Sequence, residues 1–409
     1  MKKFLARQPI FDKSQNVFAY ELLFRSGVEN SCGEIDHEAA STSMADTSFL
    51  FGLQMLTEGR RAFVNCPKQF LLSDYISLFP RDFVVVELLE NVTPDDEVIA
   101  ACRRLKQNGY LLALDDYTGS AVWNPIIPFA DFIKVDFRLT SHEQQRSLAL
   151  RLGSRGIRML AEKVETQEEA AEAVKMGYAL FQGFYFCRPQ MMAHEDVPPY
   201  QLAYLKLLQA ANAPEYDVGA LAKRIKQEPS LTYRLLRYLN SAGFGLRVEV
   251  RSIRHAMALL GEKELRRWIS VVAIAAMADG QPHELLTLPL VRGRFCELLA
   301  PLTRLKEHSS DLFLMGMLSA LDVILHRPMD AILAEVPVHS DVKQALLGHA
   351  GIFRKILNIA MAQERAEWEP LGELALNLRL SEAEITGQYL TAVDWAATLR
   401  REVRAPAAK

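Results

Sequence analysis

Cysteine is scarce and scattered. Cys32, Cys66, Cys102, Cys187 and Cys296 form no CxxC pair and no dense framework. That excludes a disulfide scaffold and fits a reducing cytoplasm. Long apolar runs are missing too. The longest, around WISVVAIAAMA, falls short of the ~18–20 residues needed to cross a bilayer. It reads as a buried helix, and no membrane partner is expected. MKKFLARQPIF has two lysines but no apolar stretch suited to a signal peptide. Neither sign of charge dominates. A net charge of -3 and a pI near 6.3 give no electrostatic basis for bulk nucleic-acid binding.

What is present is ordinary in bulk and unusual in pattern. With 50% hydrophobic and 24% charged residues, the 409-residue chain has the composition of a soluble globular protein. At ~150 residues per domain, that length suggests two or three domains. Up to about residue 190, seven short apolar runs each carry a polar group at or near their end. They are FAYELLFR with Glu21, FVNC with Asn65, VVVELLE with Glu87, ALDD with Asp115, FIKVD with Lys134 and Asp136, LAEKVE with Glu162, and LFQG with Gln182. Helical stretches alternate with them. PDDEVIAACRRLKQNG is acidic early and basic late, with Gly109 as its stop. TSHEQQRSLALRLGSRG is capped by Thr140 or Ser141, and TQEEAAEAVKMG runs from Thr166 to Gly177. MADTSFLFGLQML reads as another helix. Strand–helix alternation predicts a mostly parallel sheet with covering helices. The fold class expected is a TIM-like α/β barrel, trimmed relative to the usual ~250 residues, followed by an all-α domain.

Parallel barrels place their chemistry at the C-terminal ends of strands. Glu21, Asn65, Glu87, Asp115, Asp116, Glu162 and Glu165 are all oxygen donors, and no histidine joins them. Hard oxygen donors suit Mg2+ or Mn2+, with Ca2+ as an inhibitor. Two such ions, ~3.5–4 Å apart, activate water and polarise a phosphate ester. Lys134 would order or deprotonate a water or neutralise a phosphate. Arg25, four residues beyond Glu21, could clamp a phosphate. Taken singly, each acid could be a solvated strand end, and Lys134 with Asp136 a plain ion pair. Seven such endings in order weaken that reading. Cys66 reads as a small buried thiol rather than a nucleophile.

The runs RQPIFD, YELLFR, FVN, VELLE, LALDD, IKVD, AEKVET and FQGFYFCRP resemble, in order, the EAL family of cyclic di-GMP phosphodiesterases. That family is a barrel that uses two divalent ions to open cyclic di-GMP to the linear dinucleotide. The resemblance implies that Glu21, Asn65, Glu87, Asp115 and Glu162 are metal ligands, with Asp116 beside the second ion. It implies that Lys134 orders the attacking water, with Glu162 and Gln182 in the catalytic group. Arg25 would contact a ligand phosphate, Gln8 and Asp136 would lie close to the nucleotide, and Glu165 would support a loop. Three departures stand out. Glu21-Leu22-Leu23 replaces Glu-Ala-Leu. Tyr117-Thr118-Gly119-Ser120 replaces the family's Phe-Gly-Thr-Gly loop and is one glycine short. Lys163 replaces the glycine between Glu162 and Val164, adding charge and bulk near the second ion. Retained ligands with an altered loop imply weakened turnover.

RPQMMAHEDVPPYQ, with three prolines and no periodicity, reads as a linker. Expected boundaries are 1–192 for the barrel, 193–202 for the linker and 203–409 for the helical domain. DVGALAKRIKQEPSLTYRLLRYLNSAGFG, RSIRHAMALLG and DLFLMGMLSALDVIL resemble HDOD domains, the catalytically silent cousins of metal-dependent HD hydrolases. Where those hydrolases carry His-Asp after the run FLMGML, this chain has Ser319-Ala320. His255 reads as a packing or hydrogen-bonding residue. Arg247, Arg251 and Arg254 read as a solvated face. The resemblance implies a module that binds a signalling protein, and a homodimer stays open. Two functions follow: a metal-dependent cyclic di-GMP phosphodiesterase with weakened activity, or an inactive EAL–HDOD nucleotide sensor or scaffold.

Overall fold

The computed structural model describes residues 3–26, 53–73, 76, 79–183, 199–212, 253–278, 281–282 and 284–404. The chain forms two compact units, Met1–Arg188 with Glu364–Ala366, and Pro189–Gln363 with Glu367–Lys409.

The first unit is a closed eight-stranded barrel. Its strands are β1 (Lys3–Asp12), β2 (Val17–Ser26), β3 (Arg61–Cys66), β4 (Val84–Leu88), β5 (Leu111–Leu114), β6 (Phe132–Asp136), β7 (Arg158–Glu162) and β8 (Leu180–Phe181). Each of the seven apolar runs became a strand, β2 to β8. β1 runs antiparallel to both of its neighbours, β2 and β8, while every other pairing is parallel. The barrel therefore keeps eight strands and is trimmed in its connections. Between β5 and β6 stand two short 3-10 turns, Ala121–Trp123 and Ile127–Phe129, in place of a covering helix.

Three helices start as their sequences predict. In α1 (Asp96–Gln107) the Asp95 carboxylate accepts from the Val98 amide at 3.1 Å. In α2 (His142–Gly153) the cap is Ser141, which forms a reciprocal box with Gln144. Thr140 is not the cap, because its hydroxyl donates to the Asp136 carbonyl at 2.6 Å instead. In α3 (Gln167–Met176) Thr166 accepts from the Glu169 amide at 3.2 Å.

Side chains alternate across a strand, so residues of one parity fill the barrel. Ile10, Ala19, Phe63, Val85, Ala113, Phe132, Leu160 and Leu180, one from each strand, form a buried apolar cluster. The Phe63 and Phe132 rings meet edge-on at 5.1 Å. Arg158 lies over the Phe132 ring at 4.1 Å. This cluster is the floor on which the polar residues of the next turn of the pleat rest.

Among its described residues the second unit is helical, from Pro199–Asn212 through Ile253–Met277 to Glu382–Arg404. The first of these helices begins inside the segment expected as a linker, since proline at the first helical position loses no intrahelical bond. Gly261 breaks Ile253–Met277, as the end of RSIRHAMALLG predicts, and His255 is half-buried in it. Trp268 to Ala278 is buried throughout. Among the described residues no helix is long and apolar enough to cross a membrane. Helices Glu284–Leu299 and Ser309–Leu318 cross at Gly316, where a Cβ would come within 2.5 Å of the Arg292 and Gly293 backbone. Ser319 donates to the Gly316 carbonyl at 2.7 Å and accepts from Arg292 at 3.2 Å. Residues 217–245, Arg247, Arg251 and the side chain of Arg254 lie outside the described residues.

Phe63 is fully buried in the floor. Phe63→Ala is expected to lower unfolding free energy by about 3–5 kcal/mol, read from the urea midpoint at unchanged slope.

Candidate metal centre in the barrel

Two residues beyond the apolar floor, every strand turns a polar group inward. The positions are Gln8, Glu21, Asn65, Glu87, Asp115, Lys134, Glu162 and Gln182, with Gln8 counted backwards because β1 is antiparallel. Register brings Gln8 opposite Glu21 and Asn65 opposite Glu87. Glu21 is not at a strand end. It sits midway along β2, and the strand runs past it against β1. Leu22 faces the other way and is fully buried. Cys66 also alternates away from Asn65; its thiol donates to the Val64 carbonyl, and burial pushes its pKa up, as for a packing residue.

Lys134 is the hub. Its ammonium meets Asp115 and Glu162 at 2.9 Å, Glu21 at 3.3 Å, and Glu87. Lys134 and Glu87 are essentially inaccessible to solvent. Four carboxylates against one ammonium leave an excess of negative charge in a low-dielectric interior. Burial opposes the lysine's charge, but the carboxylates, Glu162 first, outweigh it and raise its pKa well above the ordinary value. The acids bear the cost. Burial, with Asp115 and Glu21 adding to it against Lys134, pushes Glu162 up to about 8. Burial also raises Glu87, and burial with the neighbouring Asp115 raises Asp116.

The amides complete the set. Gln182 donates to Glu21 and to Gln8, each at 2.8 Å. Its own backbone is fixed by a bond to the Ala161 carbonyl at 2.8 Å. Gly183 follows, and a Cβ there would lie 2.2 Å from the Val164 carbonyl oxygen. Only glycine lets the end of β8 close against the segment after Glu162.

Several acceptors are left over. Asn65 Oδ1, Glu87 Oε2, Glu162 Oε2 and Gln182 Oε1 are buried without a hydrogen-bond partner among the described residues. Leaving such atoms orphaned is costly. Asp115, Asp116 and Glu162 also offer oxygens within 4.8 Å of one another. Orphaned hard oxygens beside converging carboxylates fit a Mg2+ or Mn2+ site. Asp116 takes a left-handed backbone with φ of 40°. After it, Tyr117 folds back, its amide donating to the Lys134 carbonyl at 3.0 Å.

Other predicted residues lie at the rim. Asp136 is buried and accepts from the Arg138 and Leu139 amides at 2.6 and 3.2 Å, and it pairs with Lys163. Glu165 is exposed and meets Arg138 at 3.3 Å. Arg138 also holds Glu169 at 3.0 Å, a tie that sequence reading missed because an exposed arginine after a strand carries no distinctive signal. The Arg25 side chain lies outside the described residues.

The EAL domain family matches residues 68–189 and the HDOD domain family matches residues 197–345. The EAL match leaves Gln8, Glu21 and Asn65 outside its span. Two relatives match along nearly the whole chain. The uncharacterized protein YuxH of Bacillus subtilis is 34% identical over 404 residues, covering 97% of this chain and 98% of that one. The cyclic di-GMP phosphodiesterase CdgJ of Vibrio cholerae is 32% identical over 403 residues, covering 97% of this chain and 93% of that one. Among solved structures, the calcium/cy-diGMP complex of BlrP1 from Klebsiella pneumoniae aligns at 23% identity. It covers 45% of this chain and 55% of that one, with a TM-score of 0.37. With an EAL domain preceding an HDOD domain, and with relatives above 30% identity along almost its whole length, the chain belongs to the EAL–HDOD family.

Proposed function

We propose that the barrel is a metal-dependent phosphodiesterase site for cyclic di-GMP with weakened turnover, and that the helical unit relays the signal to a protein partner. The observation that carries this reading is the Lys134 ammonium held among Glu21, Glu87, Asp115 and Glu162 beside orphaned oxygens of Asn65, Glu87 and Glu162. Support for the substrate comes from CdgJ, which is named a cyclic di-GMP phosphodiesterase.

In this reading Glu21, Asn65, Glu87, Asp115 and Glu162 would hold two Mg2+ or Mn2+ ions, with Asp116 beside the second. A bound divalent ion supplies an acidified water and polarises a phosphoryl oxygen. The chain's own groups do the rest. Lys134, relieved of some of its carboxylates, directs its N–H groups at the water or at the phosphate. Gln182 fixes the Glu21 carboxylate and is itself oriented by Gln8. Asp136 lies close to the nucleotide, and Arg25 binds a phosphate. The buried thiols of Cys66 and Cys102 suit a reducing cytoplasm.

A second reading, a sensor without turnover, is favoured by the Lys163 ion pair with Asp136 and by the altered loop sequence Tyr117–Ser120. One assay separates the two. Purified protein with cyclic di-GMP and Mn2+ is expected to form the linear dinucleotide slowly, with EDTA stopping it and Glu21→Ala reducing it by roughly a hundredfold or more. Calorimetric binding without product would support the sensor. Neither binding nor product would leave a scaffold.

A pH dependence also follows. In metal-free protein Glu162 titrates near 8, against an ordinary 4.5. Between those values the folded state holds a proton that the unfolded state releases, so stability falls as pH rises through about 8. In EDTA the melting temperature is expected to drop from pH 6 to pH 9. Glu162→Gln flattens that drop, and Mn2+ restores the wild-type melting temperature at the alkaline end. A melting temperature indifferent to pH and to Mn2+ would contradict the site.

A further inference from the structure

Lys163 occupies a backbone conformation that disfavours a side chain. Its φ is 53°, in the left-handed region, where a Cβ crowds the following carbonyl. A strained non-glycine residue one position from a cluster of carboxylates asks for a functional account. The account lies in its charge.

The inward-facing oxygens fall into two groups. Glu21, Asn65 and Glu87 come from β2, β3 and β4. Asp115, Asp116 and Glu162 form a second group whose oxygens lie within 4.8 Å of one another, with Glu162 Oε2 buried and unpartnered. Lys134 serves both groups. Lys163 acts on the second. Its side chain is 58% exposed, and its ammonium pairs with Asp136. The remaining oxygen of Asp136 is occupied by the Arg138 and Leu139 amides. Asp136 is therefore fully engaged and adds no free acceptor to the second group. The same ammonium acts electrostatically on Asp116 and Glu162, two of that group's three acids.

We propose that Lys163 makes the two cation positions unequal. Its tethered positive charge competes at the Asp115–Asp116–Glu162 group and leaves the Glu21–Asn65–Glu87 group unaffected. The barrel then holds one divalent ion tightly and a second weakly. This rests on the metal reading of the site but not on the identity of its substrate.

The test is Mn2+ titration of the full chain, followed by calorimetry and by the electron paramagnetic resonance signal of free Mn2+. Wild type is expected to show one tight and one weak site. Lys163→Gln keeps the Cβ and the backbone strain and removes only the charge. It is expected to tighten the weak site by about tenfold or more and to leave the tight site within about twofold. Lys163→Arg should behave as wild type. Asp116→Asn should abolish the weak site alone. Two equal sites in wild type, or a weak site indifferent to Lys163→Gln, would overturn the inference while leaving the metal reading intact. Absence of Mn2+ binding in every protein, each checked for folding by its thermal melt, would overturn both.

Discussion

One ammonium makes this barrel possible. Four carboxylates projecting into a closed, dry cylinder would drive the strands apart, because their repulsion is weakly screened there. Lys134 touches all four and is itself buried. Its desolvation is offset by the carboxyl groups packed around it, Glu162 first. The compensation is incomplete. A single positive charge cannot satisfy eight carboxylate oxygens, so the second oxygens of Glu87 and Glu162 stay orphaned. The same shortfall of positive charge is what a harder, more highly charged cation would supply.

The pleat converts that imbalance into a located site. Apolar residues from Ile10 to Leu180 make one interior level, and two positions further each strand offers a polar group. The spacing is rigid because a slip of one residue would send every interior side chain outward. Of the converging acids, Glu21, Glu87 and Glu162 lie within strands, and Asp115 and Asp116 follow directly on β5. The antiparallel β1 contributes as well. Running against β2, it sets Gln8 opposite Glu21, so that Gln182 can bridge both.

Much of this was legible beforehand. Short apolar runs ending in acids identify buried parallel strands, because nothing else places a carboxylate so close to Val84–Val85–Val86 or Phe132–Ile133. β1 was legible only by resemblance. Arg7, Gln8 and Pro9 interrupt its apolar character, and an antiparallel strand flanked by β2 and β8 tolerates that interruption. The 3-10 connection before β6 was not legible, because AVWNPIIPF is apolar without a helical period that survives its prolines. Nor was the contact of Lys134 with four carboxylates at once. Sequence suggested a pairing with Asp136, two residues along the same strand, but Asp136 is taken by Lys163 and by two backbone amides. Lys163 reaches it because β6 and β7 pair Asp136 with Glu162. That neighbour relation exists only across strands.

The second unit resolves its polar groups in the opposite sense. At the position after FLMGML, Ser319 is engaged by the Gly316 carbonyl and by the guanidinium of Arg292. A guanidinium keeps its charge at any physiological pH and offers only donors. Placed in the helical interior, it repels a cation where a surplus carboxylate would attract one. Gly316 and Gly293 bring the two helices so close that no larger side chain could be added there without separating them. The residues that close this crossing are thus unsuited to holding a metal, by charge and by space alike.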